Sequence, residues 1–133
     1  MIKGLAHTCF SVRDLEVSLA FYRDQLGLQP AFDFINDKGE RFGLYLHVGG
    51  RNFIELFTGE VSASNPHQSY KHLCLEVDDV EATAAQLRAK GVKVSPVTLG
   101  SDYSWQAWIT DPDGNQIELH GYTPKSKQAP WAK

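Results

Sequence analysis

The sequence predicts an α+β fold: two paired βαβββ modules forming a cup-shaped, partly closed mixed sheet with helices outside. Three observations predict it. The chain repeats itself: HTCFSVRDLE from His7 is matched by HLCLEVDDVE from His72, and RNFIELF around Glu55 by GNQIELH around Glu118. Apolar residues alternate along the opening segment of each half, which is the period of a half-buried strand. A stretch with helical spacing follows, introduced by an Asp and closed by a Gly.

The repeat comes first, because missing it would misassign the fold. The opening segments align at an offset of 65, with His7 on His72, Val12 on Val77, Asp14 on Asp79 and Glu16 on Glu81. The closing segments align at 63, with Tyr45 on Trp108, Ile54 on Ile117, Glu55 on Glu118 and Leu56 on Leu119. A unit of about 60 residues is longer than a solenoid repeat and reads as a duplicated module.

Each module parses in the same order. In His7–Val12, Thr8, Phe10 and Val12 make one face and His7, Cys9 and Ser11 the other; Leu73, Leu75 and Val77 repeat the apolar face after His72. Asp14 and Asp79 are placed to cap helices, since a short carboxylate accepts the first free amide donors. Leu15, Leu19, Tyr22 and Leu26 then share one helical face, matched by Val80, Ala84 and Leu87. Gly27 and Gly91 stand where a left-handed helix end needs no side chain. Three strands complete module one: Gln29–Ile35, Arg41–Val48 and Asn52–Phe57. Module two is expected to use Lys93–Thr98, Trp105–Thr110 and Asn115–Gly121, with Asp111-Pro112-Asp113-Gly114 as a turn. The organisation is a single domain over 1–133: module one 1–58, a linker 59–70 rich in Ser, Gly, Asn and Pro, module two 71–122, and a tail 123–133. The tail lacks periodicity and reads as a loose arm or a strap over a partner subunit.

Composition narrows the function. The 133 residues suffice for one domain with a core, and 42% hydrophobic and 22% charged content are ordinary for a soluble protein. A formal charge of -3 and a pI near 5.9 leave no basic stripe for nucleic acid. No apolar run approaches the roughly 18 residues of a membrane span, and the N-terminus enters a strand pattern without a signal peptide. Two cysteines, Cys9 and Cys74, fit a reducing cytoplasm and read as buried free thiols.

Strand parity then singles out four residues. If Ile54 and Leu56 face the helix, Phe53, Glu55 and Phe57 face away; if Ile117 and Leu119 face the helix, Gln116, Glu118 and His120 face away. His7 and His72 share that helix-distant side, the concave face of the expected sheet. Charged groups there are costly unless paired or bound to metal. Two imidazoles and two carboxylates suit Zn, Ni, Co, Mn or Fe(II); the alternative is two His–Glu pairs that stabilise the sheet. His120 has the parity of a neighbour to the site. His47 shares a face with Tyr45 and is read as structural, and His67 as a solvated linker residue. Tyr45, Phe53, Phe57, Trp105 and Trp108 are candidate pocket walls, with core packing as their other reading.

The paired βαβββ modules, the His-x4-Val-x-Asp openings, the DPDGN turn and the closing IEL strands resemble the vicinal oxygen chelate superfamily, which includes glyoxalase I, extradiol dioxygenases, methylmalonyl-CoA epimerase and antibiotic resistance proteins. The resemblance runs from Leu5 to about Tyr122 and is closest to glyoxalase I-like lyases, whose His-Glu-His-Glu ligand pattern falls on His7, Glu55, His72 and Glu118. It implies one divalent metal per site, a homodimer, and a lyase or isomerase acting on a small hydroxy-carbonyl or hemithioacetal substrate through an enediolate, with Glu118 or Glu55 as general base. The same resemblance leaves open an epimerase that does not use glutathione, a ring-cleaving dioxygenase, and a non-catalytic small-molecule binding protein of the antibiotic type. Glyoxalase I enzymes hold glutathione with an Arg four residues after the first His and an Asn four after the first Glu. Here those positions are Ser11 and Gly59, which argues against a glutathione adduct.

Overall fold

The alternating opening segment forms strand β1 (His7–Val12), with Phe10 and Val12 buried and His7 exposed. The computed structural model describes residues 1–62 and 65–133. The chain divides into two units, Met1–Ala63 and Ser64–Lys133. The fold is α+β, as expected, and its mixed strands form two four-stranded sheets, one in each unit.

In the first unit the Asp14 carboxylate accepts from the Glu16 and Val17 amides and starts helix α1 (Leu15–Leu19). The helix does not run on as an α-helix to Leu26. Its second half, Ala20–Gln25, widens to a π-helix, with the Leu26 amide donating to the Phe21 carbonyl at 2.9 Å. The wider turn lets the consecutive rings of Phe21 and Tyr22 both bury, 5.0 Å apart and edge to face. Gly27, at φ 80, ends the segment as expected. Strands β2 (Gln29–Ile35), β3 (Arg41–Gly49) and β4 (Asn52–Thr58) follow, and the sheet order is β1-β4-β3-β2. Only the β1–β4 pairing is parallel. Leu44, Leu46, Ile54 and Leu56 are at most 1% exposed, and each contributes about 1.5–3 kcal/mol of burial.

The second unit repeats the order. The Asp79 carboxylate accepts from the Ala82 amide, capping helix α2 (Val80–Ala89) between β5 (Leu73–Glu76) and the strands β6 (Thr98–Leu99), β7 (Trp105–Thr110) and β8 (Gln116–Gly121). Its sheet order, β5-β8-β7-β6, has the same connectivity, again with one parallel pair. Val80, Ala84, Leu87, Ala107, Ile109, Ile117 and Leu119 form its core. In the turn after β7 the buried Asp111 accepts from the Asp113 and Asn115 amides and from the Asn115 side chain.

Two local expectations give way. The strand expected over Lys93–Thr98 shrinks to Thr98–Leu99. Pro96 has no amide to donate, and the Ser95 hydroxyl takes the Trp108 amide that a ladder carbonyl would have held. The tail is not a loose arm. Its Gln128 and Lys127 donate to the side chain and the backbone carbonyl of Asp102, and Ser126 bonds Ser104 at 2.8 Å, so it is fastened to the loop before β7. The linker expected over 59–70 includes residues 63 and 64, which lie outside the described residues. No helix among the described residues is long and apolar enough to cross a membrane.

Candidate metal centre

In each unit the central strand carries the glutamate and the opening segment carries the histidine. Register explains how they meet. Cys9 lies beside Glu55 across the parallel β1–β4 pair, and Cys74 beside Glu118 across β5–β8. The histidine stands two residues earlier than the cysteine, on the same face of the pleat, so it reaches the carboxylate diagonally. His7 Nε2 is 3.7 Å from Glu55 Oε1, and His72 Nε2 is 3.0 Å from Glu118 Oε2. His72 does so from the residue just before β5.

The third strand supplies an aromatic partner to each imidazole, also at equivalent positions. Tyr45 is registered with Glu55 and Trp108 with Glu118. The Tyr45 hydroxyl lies 3.0 Å from His7 Nδ1, and the Trp108 ring stands edge-on to His72 with centroids 4.8 Å apart. Each aromatic restricts the ring plane of a histidine whose Nε2 faces a carboxylate. Desolvation, and then the Glu55 carboxylate, raise the Tyr45 phenol above its ordinary range, so it remains a neutral hydroxyl.

The two glutamates differ in their support. Glu118 Oε1 also accepts from Nδ1 of His120 at 3.1 Å, while His120 Nε2 faces Asp102 Oδ2 at 3.9 Å. Hydrogen bonds from Gln128 and the Ser104 amide hold the Asp102 carboxyl below its ordinary range. A chain of polar groups thus runs from the tail through Asp102 and His120 to Glu118. His120 has the expected parity. Asp102 and Gln128 were missed, because they sit in a loop and a tail where no periodicity marks a facing side.

Cys9 and Cys74 are free thiols, as expected, but both are exposed: they lie on the histidine face of β1 and β5, away from the core. Desolvation and the Glu118 charge push the Cys74 thiol up to about 12, and desolvation and Glu55 raise Cys9. Both stay protonated near neutral pH, which removes nucleophilic thiolate chemistry. The ligating atoms of Cys74, Glu118 and His120 lie within 4.8 Å of one another.

The candidate walls divide. Phe53 and Phe57 share the Glu55 face as expected, Phe53 against Tyr45 with centroids 5.7 Å apart and Phe57 against Phe34 at 5.0 Å. Trp105 does not belong with them. On β7 it alternates with Trp108 and falls on the side of Ala107 and Ile109, where it lines a cavity of about 500 Å³ with Val80 at the start of α2. His47 is structural: its Nε2 donates to the Gly50 carbonyl at 3.0 Å. His67 is exposed, in the linker. Ser11 and Gly59 are neighbours, since a Cβ on Gly59 would lie 3.5 Å from the Ser11 hydroxyl.

The donor set fits a borderline divalent cation: each unit pairs an imidazole nitrogen with a carboxylate oxygen, and both imidazoles and Glu118 have second partners. Comparison with known proteins shows the family. Residues 4–119 match the model of the Glyoxalase/Bleomycin resistance protein/Dioxygenase superfamily. The chain is 28% identical over 125 residues to the uncharacterized protein YaeR of Escherichia coli (90% of this chain, 96% of that one). It is 31% identical over 123 residues to a lactoylglutathione lyase of Haemophilus influenzae (86% and 90%). Among solved structures it resembles TnmS3, an antibiotic binding protein from a Streptomyces species, with a TM-score of 0.72 and 28% identity over 92% of this chain and 98% of that one.

Proposed function

The chain belongs to the Glyoxalase/Bleomycin resistance protein/Dioxygenase superfamily, and from that premise we propose that it is a divalent-metal-dependent lyase or isomerase of the glyoxalase I type. Its substrate is a small hydroxy-carbonyl compound or hemithioacetal. The observation that carries this reading is the repeat-equivalent pairing of His7 with Glu55 and of His72 with Glu118. These four side chains would hold the metal, and a bound metal would supply Lewis-acid polarisation of the substrate's oxygens.

The chain's own groups do the proton work. Glu118 or Glu55 removes the proton from the carbon that bears the hydroxyl and returns it to the neighbouring carbonyl carbon, acting as base and then as acid, while the hydroxyl proton passes to the former carbonyl oxygen, so that the hydroxyl and the carbonyl exchange places. The substrate is isomerised with no net oxidation. Tyr45 and Trp108 hold the imidazoles, and the aromatic face around Phe53 and Phe57 limits water at the reacting carbons. Small residues at Ser11 and Gly59 provide no guanidinium clamp for a glutathione carboxylate, so a substrate other than a glutathione adduct is favoured. The protein acts as a homodimer in the cytoplasm.

A second reading, ligand sequestration without turnover, is supported by the likeness to the antibiotic binding protein TnmS3. Metal analysis followed by assay separates the two. Protein purified without chelator should hold a stoichiometric divalent metal and should turn over a member of a panel of α-hydroxy carbonyl compounds, offered free and as thiol adducts. Glu55→Gln and Glu118→Gln should each cut turnover by about 10²–10⁴-fold with unchanged circular dichroism. Absence of metal, together with no thermal shift on adding nickel or zinc, would overturn the reading; near-wild-type rates in both variants would remove the carboxylate-base step.

A further inference from the structure

We propose that the first unit carries an anion-binding site built on Arg51 and Lys3, and that it holds a carboxylate or phosphate group of the substrate; the inference rests on reading His7 and Glu55 as metal donors. A cavity of about 960 Å³ opens beside His7, and Lys3, Tyr45, Arg51, Asn52 and Phe53 are among its lining residues. Two of these are cations, and no carboxylate lines it among the described residues.

Arg51 differs from the other four arginines. Arg13 donates to the Val61 carbonyl, Arg23 pairs with Asp24, Arg41 pairs with Glu16 and Asp33, and Arg88 donates to the Ser95 carbonyl. Arg51 has no hydrogen-bond or ion-pair partner among the described residues. Its place is nevertheless fixed. The His47 imidazole bonds the Gly50 carbonyl and packs, tilted, against the Phe53 ring with centroids 5.3 Å apart. The Phe53 amide donates to the Ala6 carbonyl at 3.0 Å, which ties the segment carrying Lys3 to the strand that follows Arg51. Two cations with no counter-charge at one cavity favour an oxyanion, and the guanidinium fork grips a carboxylate or a phosphate through two parallel hydrogen bonds. The site lies at the His7 end of β1 and β4, whereas Ser11 and Gly59 lie at the other end. The anion contact of this chain is therefore at the opposite end of the strands from the position that would serve glutathione.

Three probes with the same hydroxymethyl ketone test this: dihydroxyacetone, its phosphate, and hydroxylevulinate, which bears a carboxylate. Binding is measured by calorimetry on the nickel-loaded and the metal-free chain, with metal content determined in the same samples. At least one anionic probe should bind roughly tenfold more tightly than dihydroxyacetone, and which one gains identifies the anion. Arg51→Ala should abolish that preference, Lys3→Ala should weaken it, and the neutral probe should bind both variants within about twofold of wild type. Equal binding of all three probes, or a preference that survives Arg51→Ala, overturns the anion site. An Arg51-dependent preference in a chain that takes up no metal upholds the anion site while the metal reading fails. A nickel-loaded chain that ranks the probes alike does the reverse.

Discussion

Glu55 and Glu118 occupy equivalent positions in unequal surroundings. Glu118 has both oxygens engaged, by His72 at 3.0 Å and His120 at 3.1 Å, whereas the nearest imidazole to Glu55 is at 3.7 Å. His120 is 8% exposed, so its ring is held by packing as well as by its polar neighbours. A carboxylate oriented in this way loses little rotamer freedom when it takes a metal. His120→Ala should therefore weaken nickel binding by about 10–100-fold, read by competition with a chelator. His120→Gln, which keeps an amide donor, should fall between the two. Wild-type affinity in both would show that Glu118 needs no support from His120.

At the scale of elements, the site faces are made by close approach on the middle strands. Phe57 lies across Gly43: a Cβ built there would meet the Phe57 ring at 2.4 Å and the Leu56 carbonyl at 2.8 Å. β3 can only offer a hydrogen at that position if the Phe57 ring is to reach Phe34 and Phe42. Gly43→Ala should cost about 1–3 kcal/mol in urea denaturation and should move the Phe57 ring signals in an NMR spectrum. Unchanged stability with unchanged ring shifts would contradict the packing argument. In the second unit the equivalent constraint sits on the other side of the sheet. A Cβ on Gly121 would meet Val80 of α2 at 2.8 Å and Trp105 at 3.8 Å, on the helix side of the sheet where strand alternation also places Trp105.

At the scale of the molecule, each unit holds one of the two His–Glu pairs proposed as metal donors. Metal uptake, if the proposal holds, should be visible in thermal unfolding. Nickel at 100 times its Kd should add about 2.7 kcal/mol to the stability of the folded state. The midpoint of thermal unfolding should rise by several degrees, and excess chelator should reverse the rise. A midpoint indifferent to both would mean that no metal is bound selectively by the fold.

Much of this was legible in the sequence because it rests on local physics. The duplication, the Asp14 and Asp79 caps, the turn at Asp111 and the alternation that puts His7, Glu55 and Glu118 away from the helices follow from spacing and from the chemistry of single residues. The equivalence of Tyr45 and Trp108 was legible too, though not that one would bond an imidazole and the other stand edge-on to it. Tertiary structure alone decided what depends on partners distant in the chain. Parallel register set each cysteine beside a glutamate and left the histidine to reach it diagonally. The fit of Phe21 beside Tyr22 opened a π turn in a segment whose spacing read as plain α-helix. The tail, aperiodic and so silent in sequence, was fastened through Gln128 to Asp102, because a hydrogen bond between residues far apart in the chain leaves no pattern at either end.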